Sequence, residues 1–215
     1  MLHCKNIVST STFSHSHLTH VILISLFYTQ AIGLIHFKQG LLDLAIGTFK
    51  ESLEIRLKQD KPDSGDIAVV LFNIAAIYFE IGEIDKSIDF YKQTLLHESK
   101  ASKEKQTDII ATLQRLAEIY EQIGEFNKAL EYYKEAVVYC INNPENRPTV
   151  QVSRLLNSVG TIYLQMGDTT HAVEAFAKAT RINHLAGIEE SNHVVHNKID
   201  ICDAIKTYSE AAAAA

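Results

Sequence analysis

Apolar residues recur at i, i+3, i+4 and i+7 from about residue 27 to residue 186. That spacing marks helices with one buried face. The pattern is interrupted at Gly40, Gly82, Gly124 and Gly167, which are 42, 42 and 43 residues apart. A fixed period of this kind governs the reading of everything between. Each glycine is expected to end a helix, because a left-handed backbone costs glycine nothing. A second helix begins two or three residues later. In the second unit these rules predict a helix running through Leu71–Ile81 and another over Ile84–Ser99. Asp66, Thr107 and Thr169 are placed as N-caps.

Residues at fixed offsets from the glycines agree in type. Seven before stand Gly33, Ala75, Ala117 and Gly160, and four before stand His36, Tyr78, Tyr120 and Tyr163. Five after stand Ala45, Ser87, Ala129 and Ala172. Nine after stand Phe49, Tyr91, Tyr133 and Phe176, and twelve after stand Ser52, Thr94, Ala136 and Ala179. Small residues let helix backbones approach, and aromatics fill the wider gaps beside them. One such helix pair cannot bury its apolar face alone, so stacked pairs are expected to share a continuous core.

Small–x2–aromatic followed by Gly, Ala, aromatic and Ala at these spacings resembles the tetratricopeptide repeat. The 42-residue version is similar to the repeats of kinesin light chains. Leu53-Glu54-Ile55-Arg56 and Asp66-Ile67-Ala68 through Leu71, Asn73, Ile74 and Ala75 carry that likeness. The resemblance spans about Phe27 to Ala186. It implies an all-α fold, a right-handed superhelical array of antiparallel helix pairs. It also implies a protein-interaction scaffold or adaptor.

The units are expected at about 26–65, 66–106, 107–148 and 149–190. Residues 191–210 carry Val194, Val195, Ile199, Ile201, Cys202 and Ile205 on one face, and are expected to cap the last repeat. Ala211–Ala215 are read as an artefact. Residues 1–25 do not fit the repeat and are read as a disordered or artefactual tail. Phe, Ser, Leu, His, Thr and Ile are types with mostly pyrimidine-rich codons, and residues about 8–30, which end at Gln30, are alternatively read as the translated end of an intron ahead of a longer array. The apolar run Val21–Tyr28 is only 8 residues, against about 20 for a membrane-crossing helix.

Composition narrows the chemistry. Of 215 residues, 47% are apolar and only 3 are proline, which suits long helices. A net charge of −6 with interspersed signs argues against a phosphate-binding surface, so no nucleic-acid partner is expected. The basic cluster Lys100, Lys103 and Lys105 also holds Glu104 and reads as a solvated turn. Cys4, Cys140 and Cys202 are odd in number and widely spaced. A reducing compartment, the cytoplasm, is the simpler expectation; the absence of an Asn-x-Ser/Thr sequon agrees. His3, Cys4, His15, His17 and His20 lack pre-organised ligand geometry, and His193, His196 and Cys202, which could project from one helical face, read as the surface of the capping helix, so no metal is expected. No Gly-rich phosphate loop, nucleophile elbow or carboxylate couple stands out, so neither an enzyme nor a cofactor is expected.

A partner is expected on the concave face, lined by the first helix of each pair. Residues there that packing does not consume are Phe37 and Lys38, then Phe72, Asn73 and Phe79. The third and fourth units add Arg115, Glu118 and Glu121, then Asn157 and Gln165. The first half is apolar and the second amide-rich. This suits an extended or helical peptide with an apolar anchor, its backbone held by Asn73 and Asn157. Lys38, Asn73 and Arg115 are too dispersed to clamp a C-terminal carboxylate. The alternatives are that the phenylalanines simply pack, and that the chain is a structural subunit or self-associates through the ends of the array.

Overall fold

The computed structural model describes residues 24, 26–101, 109–142 and 149–185. They form helices joined by turns, with no strand among them. The chain divides into two compact units, Met1–Thr112 and Leu113–Ala215. In the first lie α1 (26–38), α2 (Leu42–Leu57), α3 (Ser64–Ile81), α4 (Ile84–Glu98) and the start of α5 (Ile109–Gln122). In the second lie the rest of α5, α6 (Phe126–Asn142), α7 (Thr149–Gln165) and α8 (Thr169–Leu185). The expected disordered tail apart from Ile24, Thr107 and the expected capping helix lie outside the described residues.

The four glycines that punctuate the sequence adopt the left-handed conformation, with φ of 74°, 86°, 79° and 79°. The same pair of hydrogen bonds closes each turn. Gly82 N–H donates to the Phe79 carbonyl at 3.0 Å and Glu83 N–H to that of Tyr78 at 2.9 Å. Gly40 and Leu41, Gly124 and Glu125, and Gly167 and Asp168 repeat both bonds. These bonds satisfy carbonyls that a helix end leaves open. The residue after the glycine then serves at once as the start of the next helix, so the pair is joined with no spare backbone.

Two N-cap assignments need correction. Helix α3 begins at Ser64 and its cap is Asp63, whose Oδ1 accepts from the Asp66 N–H at 3.1 Å. Asp66 is thus three residues inside. Thr169 opens α8, but the cap is Asp168, whose Oδ1 accepts from the His171 N–H at 3.1 Å. In both cases the aspartate immediately before the helix reaches the helix's third amide. That His171 amide, together with its ring at 2.6 Å, holds the Asp168 carboxyl below the usual range. A depressed carboxyl stabilises the fold fully above the ordinary aspartate value of about 3.9, and loses that contribution as pH falls through the lower folded value. An acid titration followed by far-ultraviolet circular dichroism should therefore show helix loss below that point. Asp168→Ala should remove this part of the transition and lower helicity at neutral pH.

Within the first unit, Ala45, Phe49, Val70, Ile74 and Ile77 form a buried cluster, with Phe37, Leu42, Leu53, Tyr78 and Phe90 packed against it. The expected alternation of small and large is explicit here. A Cβ built on Gly33 would stand 2.8 Å from the Phe49 ring, and one on Gly160 would stand 2.7 Å from Phe176. Glycine faces phenylalanine in these two pairs, whereas Ala75 and Ala117 accompany Tyr91 and Tyr133 in the sequence. Ser87, in the small-residue row, donates its hydroxyl to the Ala75 carbonyl at 2.9 Å.

Tyrosines four before the glycines bind the helix pairs together. Tyr78 stacks on Phe90 with ring centroids 5.3 Å apart and accepts from Lys50 Nζ at 3.0 Å. In the second unit Tyr163 stacks on His171 at 5.1 Å and accepts from Lys134 Nζ at 2.8 Å. Helix α3 is long and apolar enough to cross a membrane by length and composition, with mean hydropathy 1.6. Its apolar length is explained by packing on both sides, since Ile67, Ala68, Val70, Leu71, Ile74, Ala75 and Ile77 are all buried.

Candidate functional site

In the first unit, the face presented by the first helices carries two clefts. One, of about 310 Å³, is lined by Gly65, Ala68, Val69, Phe72, Asn73, Glu98 and Ala111. The other, of about 270 Å³, is lined by Leu26, Phe27, Gln30, Arg56, Asp66 and Val69. The two are copies of each other one period apart. Leu26 corresponds to Ala68, Phe27 to Val69, Gln30 to Phe72, Arg56 to Glu98 and Val69 to Ala111, each 42 residues on. Each cleft is made by two successive first helices and the end of the second helix between them.

The structure therefore brings Phe72 and Asn73 together on one cleft. Phe72 is partly buried and meets Tyr91 edge-on, with centroids 5.2 Å apart. Asn73 donates one amide hydrogen to the Val69 carbonyl at 2.8 Å, a bond within its own helix. Phe79 is also partly buried, but does not line this cleft. Phe37 rests against the core cluster of the first unit, and Lys38 next to it is exposed.

The second unit holds the remaining candidates, and all but Asn157 make polar side-chain contacts there. Glu118 accepts from Gln114 Nε2 and from Arg115 Nη1, both at 2.9 Å. Glu121 accepts from Tyr133 Oη at 3.3 Å and from Gln165 Nε2 at 3.4 Å. Burial, then the carboxylates of Glu121 and Glu118, push the Tyr133 hydroxyl above its ordinary value, so it stays a donor at any physiological pH. Arg115 and Glu118 are both solvent-accessible, and such pairs contribute about 0–1 kcal/mol. Asn157 is half-buried, and its backbone carbonyl accepts from the Thr161 hydroxyl at 3.1 Å.

One row of residues escaped the sequence reading. The sixteenth residue after each glycine is Arg56, Glu98, Cys140 and Asn183, and all four are buried, at 7%, 2%, 3% and 6% exposure. Their side chains share no chemistry, which hid them from a search for conserved type; the fixed offset was the signal available. Arg56 donates through Nη1 to Asp66 at 3.1 Å and through Nη2 to Gln30 at 3.2 Å, joining α2 to α3 and α1. Glu98 accepts from the Thr112 hydroxyl at 3.0 Å. Burial raises the Cys140 thiol, which keeps it protonated and a poor nucleophile. Among the described residues, no group of three His, Cys, Asp or Glu is placed to hold a metal ion. The His and Cys groups near the two ends lie outside those residues.

Comparison with known proteins places this architecture. The family model for the tetratricopeptide repeat matches residues 24–96 and 108–183, more than half of the chain. Comparison with curated proteins gives no match. Among solved structures, BtubC (BKLC) from P. vanneervenii is 19% identical with a TM-score of 0.72, covering 97% of this chain and 84% of that one. A putative kinesin light chain with nearly identical repeats from Podosopora anserina is 15% identical with a TM-score of 0.65, covering 86% and 87%. A tetratricopeptide repeat protein from Parabacteroides merdae is 20% identical with a TM-score of 0.64, covering 86% and 62%. At these identities the likeness concerns the fold, an all-α stack of helix pairs. With two matched segments carrying the glycine-centred pattern, the chain belongs to the tetratricopeptide repeat family, whose members serve generally as protein-interaction scaffolds.

Proposed function

We propose that this chain is a non-enzymatic, cytoplasmic scaffold that holds an extended or helical segment of a partner protein on the first helices of its first unit. The observation that carries this reading is the 310 Å³ cleft, in which an aromatic wall, Phe72, stands beside an amide, Asn73. An apolar anchor fills such a cleft while the amide bonds the segment's backbone, the usual division between affinity and orientation in a peptide site. Neither nucleic acid nor membrane is a partner in this reading.

Selection of displayed random peptides on the purified full chain tests it. Peptides that bind the wild type should weaken about thirtyfold on Phe72→Leu, as loss of a hot-spot aromatic of ~2 kcal/mol implies. Leucine keeps apolar volume against Tyr91, and circular dichroism checks that the helices persist. Recovery of no peptide, or of peptides indifferent to Phe72→Leu and Phe79→Ala, sinks the reading.

A second reading is self-association. It is favoured by the apolar surface of α1, where Phe27 is 74% exposed, Tyr28 61% and Ile35 52%. Light scattering of the wild type and of Phe27→Ser separates the two: a dimer that the substitution dissolves supports assembly through this helix.

A further inference from the structure

Within each hairpin the residue eight after the glycine meets the residue four before it. Thr48 Oγ1 and His36 Nδ1 are 3.4 Å apart. Phe90 stacks on Tyr78 with centroids 5.3 Å apart, and Tyr132 stacks on Tyr120 at 5.5 Å. The fourth hairpin keeps the tyrosine, Tyr163, but the residue eight after Gly167 is Ala175. His171 stacks on Tyr163 instead, held by the Asp168 carboxyl at 2.6 Å. Beside Ala175 a cleft of about 340 Å³ opens within the second unit. Its apolar walls are Val137 from α6, Leu156 and Val159 from α7, and Ala175 from α8. In the second hairpin Phe90 packs on the cluster that holds Ile74, the counterpart of Val159, so an aromatic ring is what the repeat itself puts in this place.

The polar part of the lining carries positive charge that the protein leaves unanswered. Lys134 donates to Tyr163 Oη at 2.8 Å and its ammonium lies 5.2 Å from the Tyr163 ring, with no ion pair among the described residues. Because Tyr163 accepts in that bond, its own O–H is left to donate. Lys178 and Glu174, also in the lining, pair with each other at 3.6 Å and are both exposed. We propose that this cleft binds a small aromatic carboxylate, one ring with its acid group a carbon or two away. The ring lies over Ala175 against Leu156 and Val159. The carboxylate accepts from the Lys134 ammonium and the Tyr163 hydroxyl, bonds that charge strengthens. A cationic ligand is repelled by Lys134, and a neutral one leaves its charge unmatched. The cleft lies on other helices than the groove of the first unit, and its occupation does not depend on that groove.

Ligand-detected NMR titration of the full chain with phenylacetate tests the site. The wild type should bind it with a Kd of about 1 mM or tighter, the range open to a ligand of this size. Phenylacetamide keeps the ring and removes the charge, and hexanoate keeps the charge and removes the ring; each should bind at least about tenfold more weakly. Lys134→Met should weaken phenylacetate by a similar factor and leave phenylacetamide unchanged. Ala175→Phe restores the aromatic of the two preceding hairpins, and should abolish binding because its ring fills the cleft from within. Should Ala175→Phe lose helicity by circular dichroism, the three probes on the wild type and on Lys134→Met decide. No binding of phenylacetate at millimolar concentration, equal binding of either control, indifference to Lys134→Met, or a folded Ala175→Phe that still binds overturns the inference. None of these outcomes touches the groove reading, which rests on Phe72.

Discussion

Replacing Asp66 by alanine should lower the melting temperature by about 9 °C, from a loss of ~3 kcal/mol at roughly 3 °C for each kcal/mol. The magnitude follows from an asymmetry in the pair. The Arg56 side chain is 8% exposed, whereas that of Asp66 is 46% exposed. Without Asp66, a buried guanidinium keeps only Gln30 from this network and retains its full charge, because arginine does not deprotonate. Without Arg56, the aspartate, nearly half exposed, is still solvated. Arg56→Met, which keeps a similar apolar length, should therefore cost about 1 kcal/mol or less, since a well-packed apolar side chain often replaces a buried ion pair at little loss. Thermal melts of the two variants by circular dichroism give the comparison. Equal losses would mean that the pair, and not the burial of its cation, sets the energy.

The second large effect concerns Phe49, which is fully buried against Gly33. Phe49→Ala should destabilise by about 4 kcal/mol through lost transfer energy and the cavity left behind. Gly33→Ala alone brings two opposed terms. Alanine improves helix propensity by about 1 kcal/mol, but its Cβ meets the ring at 2.8 Å, and overpacking of this kind costs about 1–3 kcal/mol. Because the ring has no exposed side to move toward, the clash prevails and the variant is destabilised. In the Phe49→Ala background the ring is gone, and Gly33→Ala should become stabilising. That change of sign, read from four melting curves, isolates the contact from propensity. Gly160→Ala should be milder, since Phe176 is only partly buried and can yield.

Much of the fold was legible because the repeat is written in backbone requirements. Only glycine takes φ near +80° without strain, so its 42-residue spacing announced the turns. The rows of small and aromatic residues announced which faces pack. Helix starts were less legible, because capping depends on a side chain reaching an amide three residues on. Asp63 and Asp168 do so, while Asp66 and Thr169 looked equivalent in sequence. The site was legible in part. Counting offsets placed Phe72 and Asn73 on the same face, and the structure sets them on one cleft. Phe37, counted in the same way, turns to the core, because the offset fixes a direction on the helix and not what stands in front of it. The buried row of Arg56, Glu98, Cys140 and Asn183 was hidden because hydropathy treats its members as unlike.

The two-residue turns also determine where the chain tolerates a change of length. Because the residue after each glycine both closes one helix and opens the next, an inserted residue there disrupts two helix ends together. The natural record of this is the third interval, 43 residues long where the others are 42. Offsets counted forward from Gly124 hold as far as Cys140, and those counted back from Gly167 hold as far as Asn157. The additional residue therefore falls between them, in the stretch that links one hairpin to the next. Growth, shrinkage and grafted loops belong in those links, and the hairpin is the indivisible module from which longer arrays are made.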